Sequence, residues 1–113
     1  MTFPLTSEPL ADRDMRPAVR TWLAGRGVVL EELGLSRGQV RVDFAAVGAE
    51  LHGVEIKSDR DSLRRLPSQA ALYGQVFDRV TLVCGARHLR AAADAIPTWW
   101  GLALVEPGAP LRL

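Results

Sequence analysis

Residues 40–58 read Val-Arg-Val-Asp-Phe-Ala-Ala-Val-Gly-Ala-Glu-Leu-His-Gly-Val-Glu-Ile-Lys-Ser. Two apolar runs flank a glycine-bearing break, the sequence signal of a β-hairpin. No other stretch constrains the chain as strongly, because three ionisable residues interrupt the runs: Asp43 on the first strand, Glu55 and Lys57 on the second. Side chains alternate between the two faces of a strand, so Glu55 and Lys57 share one face while Val54 and Ile56 share the other. The same rule puts Val42, Phe44 and Ala46 on one side of the first strand, with Arg41, Asp43, Ala45 and Val47 on the other.

Register decides whether Asp43 meets Glu55, since a slip of one residue exchanges the faces. A three-residue loop of Gly48, Ala49 and Glu50 pairs Val47 with Leu51 and brings Asp43 opposite Glu55, with Cβ atoms about 4.5–5.5 Å apart. A two-residue loop would part the carboxylates, so the odd-length loop is the expectation. Two carboxylates that close repel, and one pKa rises unless a cation lies between them. Mg²⁺ suits such a place, because it uses one or two protein carboxylates and fills its other positions with water and phosphate. It polarises a phosphoryl oxygen and activates water near neutral pH. Lys57 can hold the attacking water or offset charge growing on the phosphate. The pattern points to phosphodiester hydrolysis.

Asp43, eleven intervening residues, and then Glu55-Ile56-Lys57 resemble the motif of the PD-(D/E)XK nuclease superfamily. The longer run from Leu51 to Leu63, followed by Arg65-Leu66-Pro67-Ser68-Gln69, Tyr73 and Phe77-Asp78-Arg79-Val80-Thr81-Leu82-Val83, is similar to a small bacterial and phage branch of that superfamily. The likeness extends from about Asp12 to Trp100. Val42 stands where the proline of the superfamily's name would be. The resemblance implies a restriction-endonuclease-like α/β sandwich: a mixed four- to five-stranded sheet flanked by helices. It implies Mg²⁺ or Mn²⁺ held by Asp43 and Glu55, with Lys57 assisting the chemistry and Gln69 leaning toward the phosphate or the attacking water. It also implies acidic ligands from the elements before the hairpin, namely Asp14 in the opening Asp12-Arg13-Asp14-Met15-Arg16 and Glu32 in the segment before the Asp strand. Asp12 and Glu31 are the alternatives at those two places. The plainer readings are a carboxylate stabilised by the helix dipole and a pair of surface charges. Glu31 and Glu32 should fall on opposite faces of an extended segment.

A chain of 113 residues with 48% hydrophobic content has room for one compact domain. The expected organisation is an arm over residues 1–10, one domain over 11–106 and a tail over 107–113. The formal charge of +1 gives no global reason to bind nucleic acid. Of 14 basic residues Lys57 is the only lysine, placed where a compact point charge suits the chemistry. The lone Cys84 excludes an internal disulfide and a cysteine-based zinc site, and its apolar strand makes it a core residue. No charged-then-apolar leader or long apolar span occurs, so the expected location is the cytoplasm.

Met15, Val19, Trp22 and Leu23 recur at helical spacing over residues 11–26, and Gly25 and Gly27 end that helix. Residues 28–35 form a first strand. Beyond Lys57, the side chains of Ser58, Asp59 and Asp61 are expected to cap a helix. Its apolar stripe is Leu63, Leu66, Ala70, Tyr73 and Phe77, and Pro67 sits in its first turn. Gln69 and Tyr73, four apart, share one face, Tyr73 as a packing residue with its hydroxyl at the rim. Residues 80–84 form a strand covered on both faces. A short alanine-rich helix follows over residues 87–95, and residues 99–105 close the sheet as a last strand. Both tryptophans there, Trp99 and Trp100, are expected to pack rather than stack on bases. His52 faces away from the charged side, and His88 opens a helix.

Arg60, Arg64 and Arg65 make a basic corner past the hairpin, suited to DNA phosphates, which add affinity without sequence information. Two classes of function follow. One is a Mg²⁺- or Mn²⁺-dependent DNA nuclease, possible as a homodimer because so small a domain has a narrow footprint. The other is a non-catalytic nucleic-acid-binding or protein-interaction module that keeps the fold.

Overall fold

The computed structural model describes residues 9–35, 37–38, 40–106 and 110–113. It is a mixed α/β fold around one five-stranded sheet. In chain order come α1 (Asp12–Leu23), β1 (Val28–Leu35), β2 (Val40–Val47), β3 (Leu51–Lys57), α2 (Leu66–Tyr73), β4 (Arg79–Cys84), α3 (Leu89–Ala95) and β5 (Gly101–Leu104). The spatial order follows the sequence order. β1, β2 and β3 form an antiparallel meander, and β4 and β5 add in parallel. Each parallel joint is crossed by a helix, as a parallel pair requires.

α1 buries Met15, Val19 and Leu23, four residues apart, against Phe44, Val54, Ile56 and Val83 on one face of the sheet. On the other face Leu66 and Tyr73 of α2 and Ala92 of α3 pack with Ala45, Val80, Leu82 and Cys84. Covered on both sides, β4 is buried from Val80 to Cys84. At the end of α1 a single 3-10 turn, Ala24–Arg26, leads to Gly27 at φ 141°. There a Cβ would fall 2.4 Å from the Val47 carbonyl oxygen, so the turn onto β1 needs glycine.

The hairpin register is the expected one, with Val47 opposite Leu51 and Phe44 opposite Val54. Strict alternation along β2 does not hold. Val42 packs in the cluster with Ala45, whereas Phe44 and Ala46 pack beneath α1. The reversal falls where Glu32 should pair Asp43: Glu31–Phe44 and Leu33–Val42 are paired, and the intervening couple is not. Glu32 adopts φ 53°, a left-handed conformation uncommon outside glycine, and this switches the phase of β1. Val29 accordingly lies against the α1 side, while Leu33 and Leu35 lie against the α2 side.

Both ends of the described chain are tied to this core. The expected arm falls mostly outside the described residues, but its last residue, Leu10, exchanges hydrogen bonds with Asp59: its N–H donates to Oδ2 at 2.8 Å, and its carbonyl accepts the Asp59 N–H at 3.0 Å. In the expected tail, Arg112 bridges Leu104 antiparallel and Leu111 packs beside the α1 cluster. Asp59 and Asp61 therefore do not cap α2; the Asp61 carboxylate instead accepts the Ser58 N–H at 2.8 Å within the preceding turn. α2 begins at Leu66 without a side-chain cap, with Pro67 in its first turn. No helix among the described residues is long and apolar enough to cross a membrane.

Candidate functional site

The phase break in β2 makes the site. The β2–β3 ladder stops at Phe44–Val54, and one residue on, the Asp43 carboxylate takes the Ile56 N–H at 2.7 Å. That bond fixes Asp43 beside Glu55, since the register carries Asp43 across from it. Glu55 lies on the α2 side of β3, 5% exposed, and three groups hold it. Tyr73 donates its hydroxyl to Oε1 at 2.8 Å, Gln69 donates Nε2 to Oε2 at 2.9 Å, and Lys57 Nζ stands 3.5 Å from Oε2. Lys57 is itself buried at 6% exposure. It lines a cavity of about 570 Å³ together with Asp61, Ser62, Arg64 and Arg65. Among the described residues Arg60, Arg64 and Arg65 form no ion pair.

Burial governs the ionisation of both carboxylates. It raises Asp43 to about 7, with the charge of Glu55 adding to the rise and the Ile56 N–H opposing it. It also raises Glu55, against the pull of the Tyr73 hydroxyl, Lys57 and Gln69. Tyr73 is raised in turn, by burial and then by the charge of Glu55, so its phenol stays a donor. A buried pair of acids with a single lysine is short of positive charge.

Asp14 and Glu32, expected as further ligands, have other partners. Asp14 accepts the Ala11 N–H at 2.9 Å across the first turn of α1, the ordinary use of an acid there. Glu32 is paired with Arg16 at 3.1 Å. Glu31 is paired with the same arginine at 3.1 Å, so the two acids expected on opposite faces converge on one guanidinium because Glu32 has left the extended conformation. Among the described residues no group of three or more His, Cys, Asp or Glu side chains could hold a metal ion.

Two participants were not anticipated. Arg16 gathers Asp12 at 3.3 Å, Glu31 and Glu32, reaches the Asp43 carbonyl at 3.4 Å and lies 4.4 Å above the Phe44 ring. Its spacing of four from Asp12 was the available sign. Tyr73 acts through its hydroxyl and not through packing alone, and its shared helix face with Gln69 was the sign. Gln69, expected to lean toward the phosphate or the attacking water, directs its amide to Glu55 Oε2.

A family described as Bacteriophage P4 protein cII matches residues 18–109. The chain belongs to that family. It is 31% identical over 86 residues to "Protein cII" of Enterobacteria phage P4, a match covering 72% of this chain. The chain spans about a third of that relative, 33% of its length; the family match over residues 18–109 takes in all of the hairpin, α2 and β4. No solved structure matches.

Proposed function

We propose that the chain is a metal-dependent nuclease domain of the PD-(D/E)XK type, with the restriction-endonuclease-like fold, hydrolysing phosphodiester bonds in DNA in the cytoplasm. The observation that carries this reading is that Asp43, bonded to the Ile56 N–H just past the end of the β2–β3 ladder, lies beside Glu55 and a buried lysine, with too little positive charge for both acids to ionise freely. The donor set fits a hard dication. A carboxylate has about four lone-pair positions; Asp43 gives one of them to the Ile56 N–H, and Glu55 still has a place on Oε1 beside the Tyr73 hydroxyl. Asp43 and Glu55 would hold Mg²⁺ or Mn²⁺, which would supply Lewis acidity toward a phosphoryl oxygen and lower the pKa of water.

The remaining work falls to the chain's own groups. Tyr73 and Gln69 fix the Glu55 carboxylate in one orientation, so no reorganisation is needed when substrate arrives. Lys57 faces the cavity that Arg64 and Arg65 border. It meets the phosphate there while its partner Glu55 keeps it in place. Arg60, Arg64 and Arg65 take neighbouring phosphates, as point contacts that position the strand.

A second reading has its own support: Glu55 is hydrogen-bonded on both oxygens from within the chain, as befits a non-catalytic binding module. The test separates them. Purified protein is incubated with linear, nicked, branched and single-stranded DNA, with and without Mn²⁺, alongside Asp43→Ala and Lys57→Ala. Metal-dependent cleavage lost in both variants is the result expected of the nuclease; DNA binding without cleavage, indifferent to metal, marks the module. Sedimentation of the same samples reads whether the active species is a homodimer.

A further inference from the structure

Asp43 and Glu55 sit toward the end of the sheet where β3 finishes. A second cleft lies at the other end, where β3, β4 and β5 begin. An inner cavity of about 160 Å³ is lined by Trp22, Arg26, His52, Arg79, Thr81 and Trp99, among others. It shares Arg26, His52 and Arg79 with an outer cavity of about 540 Å³. At roughly 30 Å³ per water, the inner chamber has room for about five waters, the bulk of one planar ring system.

The lining is unlike that of a drained core. Trp99 is 47% exposed, although large apolar side chains normally turn inward. The Arg26 guanidinium stacks 4.5 Å from the Trp22 ring and has no carboxylate partner among the described residues, whereas Arg79 is paired with Glu50. Arg26 is therefore the one guanidinium lining the cleft without an acid side-chain partner among the described residues. Within it His52, 5% exposed, meets the Trp22 ring edge-on at 5.4 Å and is held by Thr81 Oγ1 at 2.8 Å. Burial, then the charges of Arg26 and Arg79, lower the His52 pKa, which keeps the imidazole neutral and fit for hydrogen bonding with an uncharged heterocycle.

Aromatic walls, a neutral hydrogen-bonding edge and one guanidinium at the entrance match a planar heteroaromatic ring bearing an anionic group. We propose that this cleft is a nucleotide-binding site, taking a base against Trp22 and Trp99 and its phosphate on Arg26. Aromatic side chains accept any base through its π-face, and an arginine resting on an indole is already oriented for phosphate. The chemistry is shared by a free nucleotide and by one unit of a single strand. The inference is independent of the reaction assigned to Asp43 and Glu55.

The test uses the full chain, ¹⁵N-labelled, titrated separately with adenosine 5′-monophosphate, ribose 5-phosphate and single-stranded tetradeoxyadenylate. The expected result is a saturable shift of the Trp22 and Trp99 indole N–H resonances with either base-bearing ligand, while that of Trp100, stacked on Tyr73, holds its position. Tighter binding of the mononucleotide identifies a free nucleotide as the occupant, and tighter binding of the tetranucleotide a strand. Trp99→Leu and Arg26→Ala, both at exposed positions, are each expected to weaken binding at least tenfold. The proposal is overturned by the absence of saturation, by ribose 5-phosphate binding as well as the nucleotide, or by either variant binding unchanged.

Discussion

Asp43 is the residue whose chemistry depends most on its surroundings. Its carboxyl titrates at about 7 instead of the ordinary 3.8, because burial and the neighbouring Glu55 charge disfavour ionisation. An acid whose folded pKa is raised binds its proton more tightly when folded. Its contribution to stability is therefore greatest at low pH and is lost as pH rises from about 4 to about 7. Asp43→Asn keeps an oxygen for the Ile56 N–H and removes the charge. Thermal melts without added metal are expected to show this variant more stable than the native chain at pH 8, with the two converging near pH 4. A variant that melts lower than the native chain at both pH values would mean that the carboxylate is not strained in the folded state.

At the scale of elements, β3 sets the geometry by holding a close approach as well as a charged face. Gly53 has the Phe77 ring above it, where an added Cβ would fall 2.7 Å from ring carbons. Gly53→Ala is expected to lower the urea-unfolding stability by about 1–3 kcal/mol, the usual cost of overfilling a packed core. Phe77→Leu in the same background should recover part of that loss, since contacting positions do not add. Equal stability of Gly53→Ala and the native chain would show that Phe77 does not rest on the strand. Such a glycine within a strand is visible in sequence as a sign of close approach, although what approaches is not. The elements themselves were largely legible. α1, the three-strand meander and β4 each follow a periodicity carried by their own residues, and Pro67 marked the start of α2.

For the whole molecule, the two ends of the described chain meet on one side of α1. Leu10 and Leu111 line the same cavity, of about 590 Å³, with Pro17, Ala18 and Trp22. Leu111→Ala is expected to cost about 1–2 kcal/mol, below the roughly 2–5 kcal/mol of a fully buried leucine. Leu10→Ala should cost a similar amount, with the double variant departing from additivity. Urea unfolding followed by circular dichroism and by tryptophan fluorescence should give one coincident transition. Two separated transitions would show that these ends fold apart from the sheet.

Local pattern determined the hairpin, its odd loop, the burial of Cys84, the strand face shared by Glu55 and Lys57 and the helix face shared by Gln69 and Tyr73, because alternation and helical spacing are properties of neighbouring residues; that the two faces meet at Glu55 is tertiary. Only the tertiary structure decided which acids keep company. Glu32 turns left-handed, Glu31 and Glu32 close on Arg16 from a different element, and Asp14 is spent on its own helix. The Arg16 contacts depend on how α1 lies across β1 and β2, a long-range packing choice that no window of sequence contains, whereas the Asp14 contact, three residues from its partner, is local.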